Sequence, residues 1–256
     1  MLDSDFRQRL IAGEVLLGSI VTVESPETVE ALCHVGFDWL FIETEHAPIL
    51  PHAVQHIIQA AGSTPCVVRL SRSDEISIKR ALDAGAAGIM VPQVNSAAHA
   101  RLVVSYAKFA PMGSRGVGTG RASMYGLNLE EYVATANDKT AVIVQAEHID
   151  AVENIEEIAS VEGVDAVFIG PYDLSASLNK LGRVNDREVV EAIDRVREAC
   201  LEKGVGLGLH GLSIDELRNK TEQGFTLISC NSDVGLLAGA AKSMIATFRE
   251  SGKNDK

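Results

Sequence analysis

Short apolar runs recur along the chain, and each is separated from the next by a segment with the polarity pattern of a helix. Within the runs, hydrophobic residues follow one another without strict alternation, which is typical of parallel strands covered on both faces. We therefore predict eight strands, over 16–21, 39–43, 66–70, 87–91, 141–145, 165–169, 205–209 and 226–230.

Three of the intervening segments carry clear helix signals. SPETVEALCHVG opens with Ser-Pro and closes on Gly36, a start signal and a stop signal. DEISIKRALDAG places its apolar residues largely on one side and ends on Gly85. DREVVEAIDRVREACLEKG is the clearest amphipathic helix, because its apolar residues recur at helical spacing.

Eight alternations of strand and helix in 256 residues predict one (β/α)8 TIM barrel that spans residues 1–256. An open, doubly wound sheet is the alternative architecture. Two connections are long, 108–128 and 171–187, and long connections inside a compact domain are usually functional. We interpret 108–128 as a mobile active-site loop in which Arg115 and Arg121 contact anions.

Composition narrows the range of partners. The formal net charge is −12 and the basic residues are scattered, which argues against binding to nucleic acid or to anionic membranes. No apolar run reaches the roughly 18 residues that span a bilayer. The N-terminal segment lacks the apolar stretch of a signal peptide. The four cysteines lie far apart and predict reduced thiols in a cytoplasmic protein: Cys33, Cys66, Cys200 and Cys230.

Polar side chains follow the carboxyl ends of the predicted strands, where a barrel of this kind places its catalytic groups. No serine or cysteine stands beside a base there, and no lysine lies at a strand end, which argues against a Schiff-base aldolase. The groups at these ends are Glu43, Glu45, His46, Arg69, Gln145, Glu147, Gly170, Pro171, Asp173, His210, Asn231 and Asp233.

Carboxylates without thiolates indicate a hard divalent cation: Mg²⁺, Mn²⁺ or Co²⁺. Glu147 and Asp173 follow neighbouring strands, so they could share one ion and leave positions for water and a chelating 2-oxo acid. The ion would draw charge from the keto group and stabilise an enolate. Arg69 could hold the same oxygen.

The ordered set of motifs resembles the HpcH/HpaI family of metal-dependent, class II pyruvate aldolases. The likeness runs from about residue 14 to residue 240, in the family's order. The motifs that carry it are GFDWLFIETEHAP, VVRL, LDAGAAGIMVPQV, RGVG, QAE and VEGVDAVFIGPYDLSASL. The resemblance implies a barrel of the phosphoenolpyruvate/pyruvate type.

The resemblance also implies roles for single residues. The family's metal ligands fall on Glu147 and Asp173, its carbonyl-binding arginine on Arg69, and its histidine base on His46. The aspartate that orients this base falls on Asp83. The expected substrate-binding residues are Arg69, Gln145, Tyr172, Glu43 and Glu45.

The implied reaction is reversible cleavage of a 4-hydroxy-2-oxo acid into pyruvate and an aldehyde through a metal-stabilised enolate. The family assembles as trimers or hexamers of barrels that exchange their last helices. Two positions depart from the family pattern: Glu43 is one methylene longer than the usual aspartate of D-x-E-H, and Tyr172 replaces a small residue. Both departures bear on the aldehyde partner.

Three alternatives remain open at this stage. Two are enzymes on the same scaffold, a citramalyl-CoA-type lyase and a 2-oxo-acid decarboxylase, and the third is a non-catalytic 2-oxo-acid-binding barrel. A lyase for CoA esters would need concentrated basic surface, which the sequence lacks. His210 and Asn231 lie at the catalytic end, but the sequence assigns them no role.

Overall fold

Eight parallel strands pair in sequence order and close into a barrel in the computed structural model, which describes residues 5–251. Each predicted run forms a strand whose bounds lie within two residues of those expected. The strands are β1 (Leu16–Val21), β2 (Trp39–Glu43), β3 (Cys66–Arg69), β4 (Gly88–Val91), β5 (Ala141–Ala146), β6 (Ala166–Ile169), β7 (Gly206–Gly211) and β8 (Leu227–Ser232). The prediction of a TIM barrel is confirmed.

Helices fill the intervals between strands. They are α1 (Phe6–Ile11), α2 (Pro26–His34), α3 (Pro51–Ala60), α4 (Glu75–Asp83), α5 (Ala97–Ala107), α6 (Leu129–Lys139), α7 (Ile149–Glu153), α8 (Ile155–Ala159), α9 (Pro171–Ser177), α10 (Arg187–Lys203), α11 (Ile214–Glu222) and α12 (Asp233–Ser251). A short 3₁₀ segment covers Arg121–Gly126. None of these helices, over residues 5–251, has both the length and the apolarity to cross a bilayer.

The helix boundaries follow from capping residues. Ser25, Asp74 and Asp186 each accept a hydrogen bond from a backbone N–H in the first turn of α2, α4 and α10. The long connection 171–187 begins with a short helix, α9. Pro171 occupies the first turn of α9, where its fixed φ suits a helix and its missing N–H costs nothing.

Large aromatic side chains fill the barrel interior. Trp39 and Phe168 are buried there, and the indole N–H of Trp39 donates to the carbonyl oxygens of Leu16 and Ile228. Glycines on the neighbouring strands make the space. A Cβ at Gly18 would lie 2.6 Å from the Trp39 ring, and one at Gly208 would lie 2.5 Å from the Phe168 ring.

Because side chains alternate between the two faces of each strand, the positions that face the barrel interior can be followed to the catalytic end. Side chains two positions apart on a strand face the same way. Glu43, Gln145 and His210 therefore follow Phe41, Ile143 and Gly208 as the uppermost interior positions of their strands. Arg69 follows Val67 in the same way on β3. The barrel thus presents polar groups only where its mouth opens.

The connection 108–128 lies against α4 rather than over the mouth. The guanidinium of Arg115 is buried and donates to the Asp83 carboxylate (2.7 Å) and to the Tyr132 hydroxyl (2.8 Å). Arg121 donates to the carbonyl oxygen of Ala84 (3.1 Å). Gly120 permits the close approach, since a Cβ there would lie 2.8 Å from the Asp83 carbonyl oxygen. Both arginines are thus bonded to groups of the protein on the α4 side, and their contact with a substrate anion stays a prediction.

The last helix leaves the barrel surface. Residues 237–250 of α12 are all exposed, including the apolar side chains of Leu237, Met244, Ile245 and Phe248. Within the described residues, its first turn is held on the barrel through the buried carboxylate of Asp233. That carboxylate accepts hydrogen bonds from the Thr22 N–H, the Thr22 hydroxyl and the Val23 N–H.

Candidate active site

Glu147 is a buried acidic group at the barrel mouth. It follows β5, and Gln145 on that strand donates from Nε2 to Glu147 Oε2 (2.8 Å). The other oxygen, Oε1, accepts the backbone N–H of Gln93 (2.9 Å). Two hydrogen bonds, one from β5 and one from the loop after β4, therefore fix the carboxylate in one orientation.

The contact from Gln93 is one that the sequence pattern does not reveal. Gln93 follows β4 and has a φ of 54°, in the left-handed region that side chains other than glycine seldom adopt. Such conformations persist where surrounding structure holds them, often at functional sites. Here the residue with the left-handed backbone, Gln93, is the one whose N–H donates to the Glu147 carboxylate.

Gly170 provides the space for the Glu147 side chain. A Cβ at this position would lie 2.9 Å from both Cβ and Oε2 of Glu147. Contacts under 3.0 Å to a fixed side chain force a displacement, so only glycine fits beside the carboxylate in this geometry. The small residue between β6 and α9 is thus a requirement of the site.

Asp173 supplies a second carboxylate on the adjacent element. It lies in the first turn of α9, is exposed, and has no hydrogen bond or ion pair within the described residues 5–251. Its charge acts on both Glu147 and Glu45. The structure therefore brings the two predicted metal ligands into one electrostatic environment. Tyr172, beside it, is 65% exposed at the same rim.

The acidic groups at the mouth carry more negative charge than their surroundings compensate. Burial raises the pKa of Glu147 to about 7, with repulsion from Glu45 and Asp173 adding to the effect and the Gln93 N–H and Arg69 opposing it. Burial likewise raises the pKa of Glu45. Buried carboxylates in this situation are relieved by a proton or a cation.

These residues fit a hard divalent cation. Besides the carboxylate oxygens, Oε1 of Gln145 is buried without a hydrogen-bond partner. Over residues 5–251, no three histidine, cysteine, aspartate or glutamate side chains converge to enclose an ion. A site of two carboxylates and an amide oxygen suits an ion that keeps several water ligands, as Mg²⁺ does.

Arg69 reaches the mouth from β3 and is held by two glutamates. Its Nη2 donates to Glu43 Oε2, and its Nε lies 3.4 Å from Glu45 Oε2 without forming a hydrogen bond. The guanidinium lies over the Phe41 ring, with 5.2 Å between the guanidinium carbon and the ring centroid. The cation is therefore oriented before any substrate arrives.

Glu43 is bonded to three donors of the protein, and its predicted contact with substrate stays a prediction. Its Oε1 accepts the backbone N–H groups of Glu45 (2.6 Å) and His46 (3.0 Å), and its Oε2 accepts from Arg69. The side chain borders the cleft but is committed to these three donors. In the structure, Glu43 connects the loop after β2 to Arg69 through these hydrogen bonds.

His46 lies on that loop with an exposed ring. Its side chain is 69% exposed, and its Nε2 lies 3.6 Å from Glu45 Oε2. The predicted partner, Asp83, is elsewhere: its carboxylate pairs with Arg115, and no contact joins it to His46 within the described part of the chain. In a single chain, therefore, the orienting role expected of Asp83 is not observed, because Arg115 occupies its carboxylate.

A cleft opens beside these groups at the centre of the barrel mouth. Its walls come from residues on, or directly after, five strands. Neither predicted metal ligand, Glu147 or Asp173, forms part of these walls. Its walls are formed by Ile20, Thr22, Glu43, His46, Ala47, Pro48, Arg69, His210 and Ser232. The interior parity of β7, visible in the sequence GLGLH, is the signal that could have placed His210 there.

Comparison with known proteins gives consistent results. The model of the HpcH/HpaI aldolase/citrate lyase family matches residues 18–240. The hydroxypyruvate/pyruvate aldolase of Cupriavidus necator is 36% identical over 252 residues, which are 97% of this chain and 93% of that protein. The 4-hydroxy-2-oxo-heptane-1,7-dioate aldolase of Escherichia coli is 36% identical over 251 residues, 96% of this chain and 95% of that protein.

Among solved structures, an HpcH/HpaI aldolase/citrate lyase family protein from Burkholderia cenocepacia superimposes with a TM-score of 0.92. The sequence identity to it is 36%, and the match covers 96% of this chain and 99% of the other. The similarity therefore extends over the whole barrel rather than over isolated motifs.

Proposed function

This chain belongs to the HpcH/HpaI aldolase/citrate lyase family and is an aldolase; we propose that Glu147, Asp173, Arg69 and His46 carry its reaction. The substrate is a 4-hydroxy-2-oxo acid, which is cleaved to pyruvate and an aldehyde in a metal-dependent reaction.

One observation carries the proposal for the site. The orphaned amide oxygen of Gln145 and the crowded carboxylates of Glu147 and Asp173 lie at the same barrel mouth as a pre-oriented arginine. A buried acidic group such as Glu147 is costly to a fold when its charge is not compensated, so its presence supports a functional use.

Glu147 and Asp173 would hold the cation, with Gln145 beside them. A divalent ion bound there acts as a Lewis acid that draws electron density from a keto group. Mg²⁺, Mn²⁺ and Co²⁺ all suit oxygen ligands, and the donor set favours this class over Zn²⁺ held by thiolates.

The remaining residues act on the bond that breaks. His46 accepts the proton of the 4-hydroxyl group while the C4–O bond becomes the aldehyde carbonyl and the C3–C4 bond breaks. The electron pair of that bond forms the enolate of pyruvate, whose negative charge develops on the keto oxygen. Arg69 stabilises this charge, and a proton delivered to C3 completes pyruvate.

The test is pyruvate release from a panel of 4-hydroxy-2-oxo acids, followed with a coupled dehydrogenase. We expect turnover with added Mg²⁺, Mn²⁺ or Co²⁺, loss of turnover in EDTA, and recovery when metal is returned in excess. Absence of pyruvate from every member of the panel, with folded and metal-supplied protein, would contradict the proposal.

Substitution of Gly170 by alanine is expected to weaken metal binding about 10-fold or more, the range seen when groups that orient a ligand are lost. The added Cβ would overlap the Glu147 side chain and push its carboxylate off position. Isothermal titration with Mn²⁺ measures the effect. Gly116→Ala is the matched control, because a Cβ there meets nothing closer than 3.7 Å. Equal Mn²⁺ affinity in both variants would refute the role of Gly170.

We also propose that α12 packs on the barrel of another subunit in a trimer or hexamer. Its exposed apolar side chains form a surface that water disfavours. The outward-facing Leu17 on β1 is 39% exposed, although barrel strands are normally covered by a helix. An exchanged helix would cover both surfaces at once.

Phe248→Asp should therefore dissociate the assembly, because a charge would be placed in an apolar interface. Light scattering should give an oligomer mass for the unaltered protein and a smaller mass for this variant. Val35→Asp places the same charge at an exposed apolar position outside α12 and should leave the mass unchanged. A monomeric unaltered protein would refute the exchange.

The state of the cysteines supports a cytoplasmic location. All four are free, and three of them are buried. Free thiols persist in the reducing cytoplasm, whereas secreted domains tend to pair them. We therefore infer from the free thiols that the enzyme is cytoplasmic.

A further inference from the structure

His210 is a half-buried imidazole, and only one of its two ring nitrogens has a hydrogen-bond partner within residues 5–251. It is an interior residue of β7, and its Nδ1 lies 3.2 Å from the hydroxyl oxygen of Ser229 on β8. Its Nε2 has no partner within residues 5–251 and is not sealed from the cleft that His210 lines. The ring is therefore fixed at one end and available at the other.

The cleft is placed for the aldehyde half of the substrate. It lies among β1, β2, β3, β7 and β8, and neither Glu147 nor Asp173 forms part of its walls. If the keto-acid half is held at those two carboxylates, the half beyond C3 extends into the cleft. His46 and Arg69, which act on the breaking bond in the proposed reaction, also line this cleft.

The wall around His210 offers further hydrogen-bonding capacity. The Ser232 hydroxyl oxygen accepts the Gly235 N–H (3.1 Å), which leaves its own proton free to donate. The Thr22 hydroxyl donates to Asp233 (2.6 Å), which leaves its oxygen free to accept. Ile20 and Pro48 complete the lining with apolar contacts. This combination suits a short carbon chain that carries hydroxyl groups.

The charge state of His210 agrees with that use. Burial lowers its pKa, and the positive charge of Arg69 lowers it further. The imidazole is consequently neutral near pH 7, and a neutral ring can either donate to or accept from an alcohol. A cationic ring would instead favour anionic groups.

We propose that His210 is a specificity-determining residue that hydrogen-bonds a hydroxyl group on the aldehyde, so that the enzyme prefers small hydroxyaldehydes to unsubstituted aldehydes. This inference rests on the proposed aldolase function. His210 undergoes no net proton transfer in this role. The selected hydroxyl is an additional one, distinct from the oxygen of the reacting carbonyl.

The test runs in the direction of carbon–carbon bond formation, from pyruvate with Mn²⁺ present. Glycolaldehyde and propanal are compared because they differ by a hydroxyl in place of a methyl group of similar size. We expect the unaltered enzyme to show the higher kcat/KM for glycolaldehyde. In His210→Leu, the ratio of the two kcat/KM values should fall by about 10-fold or more, since the hydroxyl loses a partner that leucine cannot replace.

If His210 had only a structural role, its replacement would lower kcat/KM for both aldehydes together. The ratio of the two kcat/KM values therefore distinguishes a loss of specificity from a general loss of structure. His210→Asn retains a polar group and should keep part of the preference. His34→Leu, at an exposed position on α2, should leave the ratio unchanged. A ratio altered less than about twofold in His210→Leu would overturn the inference, as would a preference for propanal in the unaltered enzyme. If neither aldehyde reacts with pyruvate, the aldolase proposal itself fails.

Discussion

Replacing Asp173 with alanine is expected to abolish metal-dependent activity. The proposed site has two protein carboxylates, those of Glu147 and Asp173, so loss of Asp173 would leave Glu147 with the Gln145 amide oxygen and water. Loss of groups that merely orient a ligand costs 10- to 100-fold in metal affinity, and loss of a ligand should cost on the order of 10² or more. Titration calorimetry with Mn²⁺ and the pyruvate-release assay measure the two effects.

The fold should survive this change. Asp173 is exposed and makes no hydrogen bond or ion pair with any residue in the 5–251 range. The melting temperature in EDTA should thus match that of the unaltered protein, while stabilisation by added metal should disappear. Glu157→Ala removes one exposed carboxylate from α8 and should preserve both metal binding and activity. Normal metal content in Asp173→Ala would exclude this residue from the site.

The strands were predictable because the barrel imposes a simple pattern. Strands of a parallel sheet are buried on both faces, so each appears as an apolar run with clear ends. The rule that catalytic groups follow the carboxyl ends then selected Glu147 and Asp173 as candidate ligands without knowledge of any contact. Both parts depend on local sequence, and local sequence is what a single chain displays.

Contacts between distant loops were not predictable in this way. Asp83 and Arg115 are 32 positions apart, and neither segment contains a pattern that predicts the salt bridge between them. The left-handed backbone at Gln93 could not be predicted either, because glutamine, unlike glycine, does not indicate such a conformation. These features arise from the packing of the whole barrel, and they decide which side chains remain free for chemistry.

Glu43 illustrates how a sequence departure acquires a physical meaning. The usual aspartate of the family motif is replaced here by the longer glutamate. In the structure, this side chain joins the N–H groups of Glu45 and His46 to the guanidinium of Arg69. The position of the candidate base and that of the candidate oxyanion partner are therefore coupled through one buried carboxylate.

Arg69→Ala should reduce kcat/KM by on the order of 10² or more, as expected for removal of one donor to a developing oxyanion. The loss should appear equally in kcat, because the interaction strengthens as charge develops on the keto oxygen. Arg69→Lys should recover little, since the compact ammonium on a flexible stem lacks the rigid, planar fork of donors with which a guanidinium bonds Glu43 and a substrate oxygen at once.

Removal of Arg69 also leaves Glu43 without its charged partner, and such losses destabilise proteins. A double variant, Arg69→Ala with Glu43→Gln, removes the unpaired charge while the glutamine can still accept the loop N–H groups. Thermal unfolding should show recovered stability in this variant, whereas steady-state kinetics should show that the rate stays low, because the oxyanion still lacks its cation. A loss of less than about threefold in a stably folded Arg69→Ala protein would mean that Arg69 serves the fold and that the charge on the enolate is stabilised elsewhere.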